Sequence, residues 1–126
     1  VVGGDPFKLI TQADVLCGFN STSLFEALAA NVPVVSPYFE EAAAPQTRGY
    51  VVDLKDAAQR ALSREDLIET LAVLSRSTHA LGLATVLADA QLGALDRWLG
   101  NPDGKAGERI ASFVHDIVKS ERQAAA

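Results

Sequence analysis

The stretch from Ala13 to Ser36 most limits what this chain can fold into. It opens with Ala13-Asp14-Val15-Leu16-Cys17-Gly18-Phe19, whose apolar core reads as a short buried strand. Asn20-Ser21-Thr22-Ser23 follows, a cluster of helix-capping residues, and launches the helix Leu24-Phe25-Glu26-Ala27-Leu28-Ala29-Ala30. Asn31 is placed to end that helix, because asparagine tolerates the left-handed conformation. Val32-Pro33-Val34-Val35-Ser36 is the next apolar run, with its proline near the start, where no ladder bond need be lost. Strand, tight polar turn, helix and strand in this order make a βαβ unit. Its two strands should be parallel neighbours, since the helix carries the chain back to the starting end.

Asp5-Pro6 predicts a short helix to about Gln12, with Asp5 as cap and Pro6 at the first helical position. Beyond the βαβ run, Tyr50-Val51-Val52-Asp53 predicts a third strand at or near the sheet edge. Ser63-Arg64-Glu65-Asp66 has the hydroxyl-x-x-acid pattern of a helix start, and Leu67, Leu71 and Leu74 follow at helical spacing. A second long helix is expected from about Ala80 to Leu99, ending at Gly100, and Asn101-Pro102-Asp103-Gly104 reads as a turn. The last helix, about Lys105 to Arg122, carries Ile110, Phe113, Val114, Ile117 and Val118 as one apolar stripe. The fold class is therefore α/β, with two to three short parallel strands followed by a helical tail. Residues 1–62 form a partial Rossmann-like region, and residues 63–126 a helical region packing on it. So few strands, together with the lack of methionine, point to the C-terminal portion of a larger Rossmann-like domain.

Composition removes several function classes. With 11 basic and 16 acidic residues the net charge is −5, which argues against a nucleic-acid binder. One cysteine makes no internal disulfide and suits a reducing compartment. The longest charge-free stretch, Ala27 to Phe39, is broken by Pro33 and Pro37 and is too short for a transmembrane segment. The N-terminus has no signal-peptide pattern. A cytoplasmic location is the expectation.

The polar turn is the leading site. Ligands of parallel α/β sheets bind outside the carboxyl ends of the strands, and a helix starting there offers free N–H groups to an anion. Asn20, Ser21, Thr22 and Ser23 are the candidate phosphate contacts, and Glu26, one turn on, could accept bonds from vicinal sugar hydroxyls. Ser23-Leu24-Phe25-Glu26 is equally a capping box that needs no ligand. Asn20-Ser21-Thr22 also matches a glycosylation sequon, a chance match in a chain without secretory features. Glu40 and Glu41 follow a strand end, where either could reach a donor sugar or metal and Glu41 is the further substrate-binding candidate; adjacent acids on a loop are also common solvated surface. Arg48, the one basic residue between Lys8 and Lys55, could neutralise a phosphate. His79 and His115 lack partners at metal-ligand spacing, so no metal is expected. Cys17 reads as a buried small hydrophobe, Trp98 as packing, and Asp103 as the cap of the last helix. No nucleophile–base set stands out, and the catalytic residue stays unassigned.

The run from Ala13-Asp14-Val15 through Glu26-Ala27 to Pro33-Val34-Val35 resembles the nucleotide-sugar half of GT-B glycosyltransferases, and the related UDP-N-acetylglucosamine 2-epimerases look similar there. Asp103-Gly104-Lys105-Ala106-Gly107-Glu108-Arg109-Ile110 is similar to the start of the last helix in those proteins. Within the group the likeness is greatest to bacterial surface-polysaccharide transferases of capsule or O-antigen type. The resemblance implies a nucleotide-sugar donor as substrate with no resident cofactor, phosphates facing Ser21, Thr22 and Ser23, and ribose facing Glu26. It also implies a carbohydrate acceptor bound mainly by an upstream N-terminal domain, a chain inactive by itself, and a full-length protein peripheral at the inner membrane. One departure bears on stereochemistry. The retaining members' Glu-x7-Glu pair would need a glutamate eight residues before Glu26, where this chain has Gly18, so an inverting outcome is favoured. An epimerase half and a non-catalytic Rossmann-like interaction module are the alternatives.

Overall fold

The computed structural model describes residues 4–81, 88–101 and 103–124. Its elements are α1 (Pro6–Thr11), β1 (Leu16–Cys17), α2 (Ser23–Ala29), β2 (Val34–Pro37), β3 (Gln59–Ala61), α3 (Arg64–Leu81), α4 (Asp89–Leu99) and α5 (Ala106–Ala124), with single 3-10 turns at Arg48–Tyr50 and Lys55–Ala57. The strands form one parallel sheet in the order β1-β2-β3. Leu16 sits opposite Val34, and Val35 opposite Gln59. The expected βαβ unit is present, with β1 and β2 as parallel neighbours.

Local chemistry sets most boundaries. Asp5 caps α1 by accepting the Phe7 N–H at 3.1 Å, and Pro6 occupies the first helical position. Asn31 ends the α2 segment at φ 58°, a conformation most non-glycine residues avoid. Its side-chain oxygen accepts from Gln91 Nε2 at 3.1 Å, and the Gln91 amide oxygen accepts from Ala88 N–H at 2.8 Å. Gln91 thus ties the start of α4 to the end of α2. At α3 the acid pattern works as expected: Ser63 Oγ accepts from Asp66 N–H at 3.1 Å, and Asp66 accepts from Leu62 N–H at 2.8 Å.

The core gathers around α2. Leu24, Ala27, Leu28 and Phe25 pack with Ile10 of α1, Val32 and Val34 at β2, Leu54, and Ala94 and Leu95 of α4. Val35 and Ala61 are also fully buried but lie outside that cluster, and α3 packs along β2 and β3. The central strand β2 is buried along Val34–Ser36, whereas Cys17 of β1 and Gln59 and Arg60 of β3 are exposed.

The third strand is at Gln59–Ala61, not at residues 50–53. Tyr50 closes a 3-10 turn and is exposed, and the Val52 N–H goes to the Phe19 carbonyl at 2.9 Å. Leu54 then enters the core. Gln59-Arg60-Ala61 has a weaker strand composition, yet it runs directly into α3 and places the small Ala61 side chain in the closed space beside β2. Packing overrides propensity here. The helix expected from Ala80 is also corrected: α3 continues to Leu81 and α4 begins at Asp89, while residues 82–87, Pro102 and the His79 side chain lie outside the described residues. No helix among the described residues is long and apolar enough to cross a membrane.

Candidate functional site

Because the three strands are parallel and adjacent, their carboxyl ends lie side by side. Three loops leave that edge: Gly18–Thr22 after β1, Tyr38–Glu41 after β2, and Leu62–Ser63 after β3. With about 4.8 Å between neighbouring strands, the first and third exits are roughly 10 Å apart.

At the β1 exit the chain is pinned on both sides. Gly18 N–H continues the ladder to the Val35 carbonyl at 3.0 Å, and the Phe19 carbonyl takes the Val52 N–H. The hydroxyls of Ser21 and Ser23 then share a hydrogen bond at 2.6 Å, and Ser21 Oγ accepts from Ser23 N–H at 3.2 Å. The Ser23–Glu26 capping box does not form. Ser23 is already the first helical residue, and Thr22 is the N-cap with helical backbone angles and no side-chain cap bond. Burying Leu24, Phe25, Ala27 and Leu28 fixes how α2 starts and turns, so the capping hydroxyl falls to Ser21 instead.

Asn20, Ser21, Thr22 and Glu26 are all exposed, and Ser23 is half-buried. Thr22 and Glu26 border an apolar groove of about 300 Å³ with Phe7, Phe25, Ala29 and Leu99. The serine pair and Glu26 are thus on one helix start, with Glu26 turned toward α1 and the end of α4. Eight residues before Glu26, a Cβ at Gly18 would stand 3.4 Å from Leu24 Cδ2, within ordinary contact of the core.

Glu41 is held by its backbone. Its carbonyl accepts from the Thr47 hydroxyl and from Ala44 N–H, while its side chain is exposed. No hydrogen bond or ion pair among the described residues joins the Glu41 carboxylate to the serine turn. Glu40, at φ 46°, faces Arg64 at 3.7 Å. Arg48 is exposed in its 3-10 turn.

Two arginines at the third exit were not singled out by sequence reasoning. Arg60 lies with its guanidinium 4.9 Å from the Tyr38 ring centre and 3.3 Å from Asp53. Tyr38 itself is fixed by its N–H to the Ala61 carbonyl at 2.7 Å. Arg64, four residues on, pairs with Glu40. Their position became visible only once β3 was placed at Gln59–Ala61. The edge therefore has hydroxyls after β1, an aromatic ring and two carboxylates after β2, and two guanidinium groups at β3 and the start of α3. These groups supply hydrogen-bond donors and acceptors along one edge, with both guanidinium groups already facing carboxylates.

Cys17 is exposed at the sheet edge rather than buried, although partial desolvation pushes its thiol pKa up. Trp98 is half-exposed and tilts against Phe25 with ring centres 5.8 Å apart. His115 is exposed beside Asp116. Asp103 accepts from Lys105 N–H at 2.9 Å and from Arg109 at 2.9 Å, and these bonds hold its carboxyl below the usual range. Among the described residues no group of three or more His, Cys, Asp or Glu is arranged to hold a metal ion.

Comparison with protein-family models, curated proteins and solved structures found no match to this chain.

Proposed function

We propose that the carboxyl edge of the sheet binds the nucleotide-sugar donor of a glycosyltransferase of GT-B type, acting in surface-polysaccharide synthesis. The observation that carries this reading is the paired Ser21 and Ser23 hydroxyls at the exit of β1, in a parallel β1-α2-β2 unit. In this reading the diphosphate lies against Asn20, Ser21, Thr22 and Ser23, with Arg60 and Arg64 as basic groups at the β3 end of the same edge. The short α2 adds only a modest dipole, so hydroxyls and arginines carry the anion recognition. Glu26 accepts from ribose hydroxyls, and Glu41 approaches the sugar from the β2 exit. The chemistry is transfer of a glycosyl group from the diphosphate to an acceptor hydroxyl. Gly18 stands where a retaining enzyme's first glutamate would be, which favours inversion. The base and most acceptor contacts belong to residues outside this set.

A titration of the isotopically labelled chain with uridine, guanosine and thymidine diphosphates, followed by amide NMR, tests the reading. Shifts are expected at Asn20–Glu26 and at Arg60, and one of the three bases should bind most tightly. Amides that stay unmoved at millimolar nucleotide would overturn the site. Transferase turnover by the chain alone would contradict the placement of the base elsewhere.

A further inference from the structure

We infer that α5 pairs antiparallel with α5 of a second copy of this chain. Every described side chain of α5 is exposed, including Ile110 at 64%, Phe113 at 66%, Val114 at 52% and Ile117 at 42%. At 3.6 residues per turn these four share one face with Ala106 and Gly107. The face is graded, with small residues at its start and large ones further on. An antiparallel pair brings Ile110 of each copy against Phe113 of the other at its centre, and sets large against small toward its ends, where Ile117 meets Ala106 and Val114 packs over Gly107. A Cβ at Gly107 would meet nothing within 4 Å, so the space that Val114 would enter is open.

Charge agrees with this register. Arg109 and Asp116 lie seven residues apart on one flank of the stripe, so the two-fold axis brings Arg109 of each copy beside Asp116 of the other. Asp103 at 2.9 Å and the Asn101 carbonyl at 3.4 Å already hold Nη1 and Nη2 of Arg109, which fixes the guanidinium while its Nε–H makes no hydrogen bond among the described residues. A lipid surface fits less well. The polar side sets Glu108, Asp116 and Glu121 against Arg109 and Lys119, without the cationic excess of membrane-surface helices. Six residues a side make a short seam, near the floor of about 1,000 Å² for a specific interface, so the dimer should be weak.

Sedimentation equilibrium of the 126-residue chain across micromolar to millimolar concentration should show a monomer–dimer equilibrium. Phe113→Glu, at an exposed position, should weaken it by at least about 30-fold. Gly107→Leu should raise helicity by circular dichroism yet also weaken the dimer. In a Cys17→Ser background, mixed Gly107→Cys and Val114→Cys chains should cross-link to each other. A monomer at every concentration would overturn the pairing, as would cross-linking of Ser120→Cys to itself, which requires a parallel pair. Co-sedimentation of a monomeric chain with phosphatidylcholine–phosphatidylglycerol vesicles would identify lipid as the occupant and overturn it equally.

Discussion

Replacing Ser21 by alanine should cost more stability than replacing Ser23, the reverse of what the Ser23-x-x-Glu26 pattern suggests. Ser21 Oγ makes two contacts, accepting from Ser23 N–H at 3.2 Å and sharing the 2.6 Å bond with Ser23 Oγ. The first satisfies a backbone donor of the opening helical turn, the work of an N-cap side chain. Loss of such a cap costs about 1 kcal/mol. Ser23→Ala removes only the hydroxyl pair, a neutral and largely solvent-accessible bond. Alanine's better helix propensity offsets part of that, so the net cost is no more than about 0.5 kcal/mol. Thr22→Ala should be near neutral, since the Thr22 side chain makes no cap bond. In a chain of this length the Ser21 change should lower Tm by roughly 3–5 °C. Urea unfolding followed by circular dichroism at constant m-value would measure all three. If Ser23→Ala costs more than Ser21→Ala, the start of α2 is misassigned and the capping box forms. The same variants separate folding from binding: if the turn holds phosphate, Thr22→Ala weakens nucleotide binding while leaving stability unchanged.

Other outcomes follow from particular contacts. Leu28→Ala, at a fully buried position in the α2 cluster, should destabilise by about 2–5 kcal/mol in the same urea assay. At Asn31, Gly should be tolerated better than Ala, because both lose the Gln91 bond but only Ala meets the steric penalty of φ 58°. The Asp103 carboxyl should titrate below its unfolded pKa of about 3.9, as read by its side-chain carbon shift. The lowered value means its stabilisation is present above that unfolded pKa and fades as pH falls through the folded one, loosening the turn before α5. Cys17 should react with a disulfide reagent in the folded chain, but more slowly at neutral pH than an unshifted thiol, because its pKa is raised.

Sequence and structure agree where the signal is short-range. Asp5-Pro6 and Ser63-x-x-Asp66 place helix starts through bonds spanning two to four residues, and both form. Asn31 ends its helix through its own backbone preference. The order of apolar run, polar turn, helix and apolar run dictates the parallel β1–β2 pair, because the connection admits little else. The serine turn at the end of β1 is legible for the same reason.

The remaining features depend on partners far away along the chain. Residues 50–53 have the better strand composition, but Leu54 is drawn under α4 and the free edge of β2 goes to Gln59–Ala61. That choice puts Arg60 against Tyr38 and Arg64 against Glu40, supplying basic groups that no local pattern marked. The same four-residue pattern caps α3 at Ser63 and fails at Ser23, since burial of Leu24 and Leu28 decides where α2 begins. The sequence by itself determined the βαβ frame and its polar turn, because bonds within a few residues specify them. Tertiary structure decided which segment closes the sheet, which serine caps α2 and which cations share the edge. Each of those depends on how side chains distant in sequence fill one core.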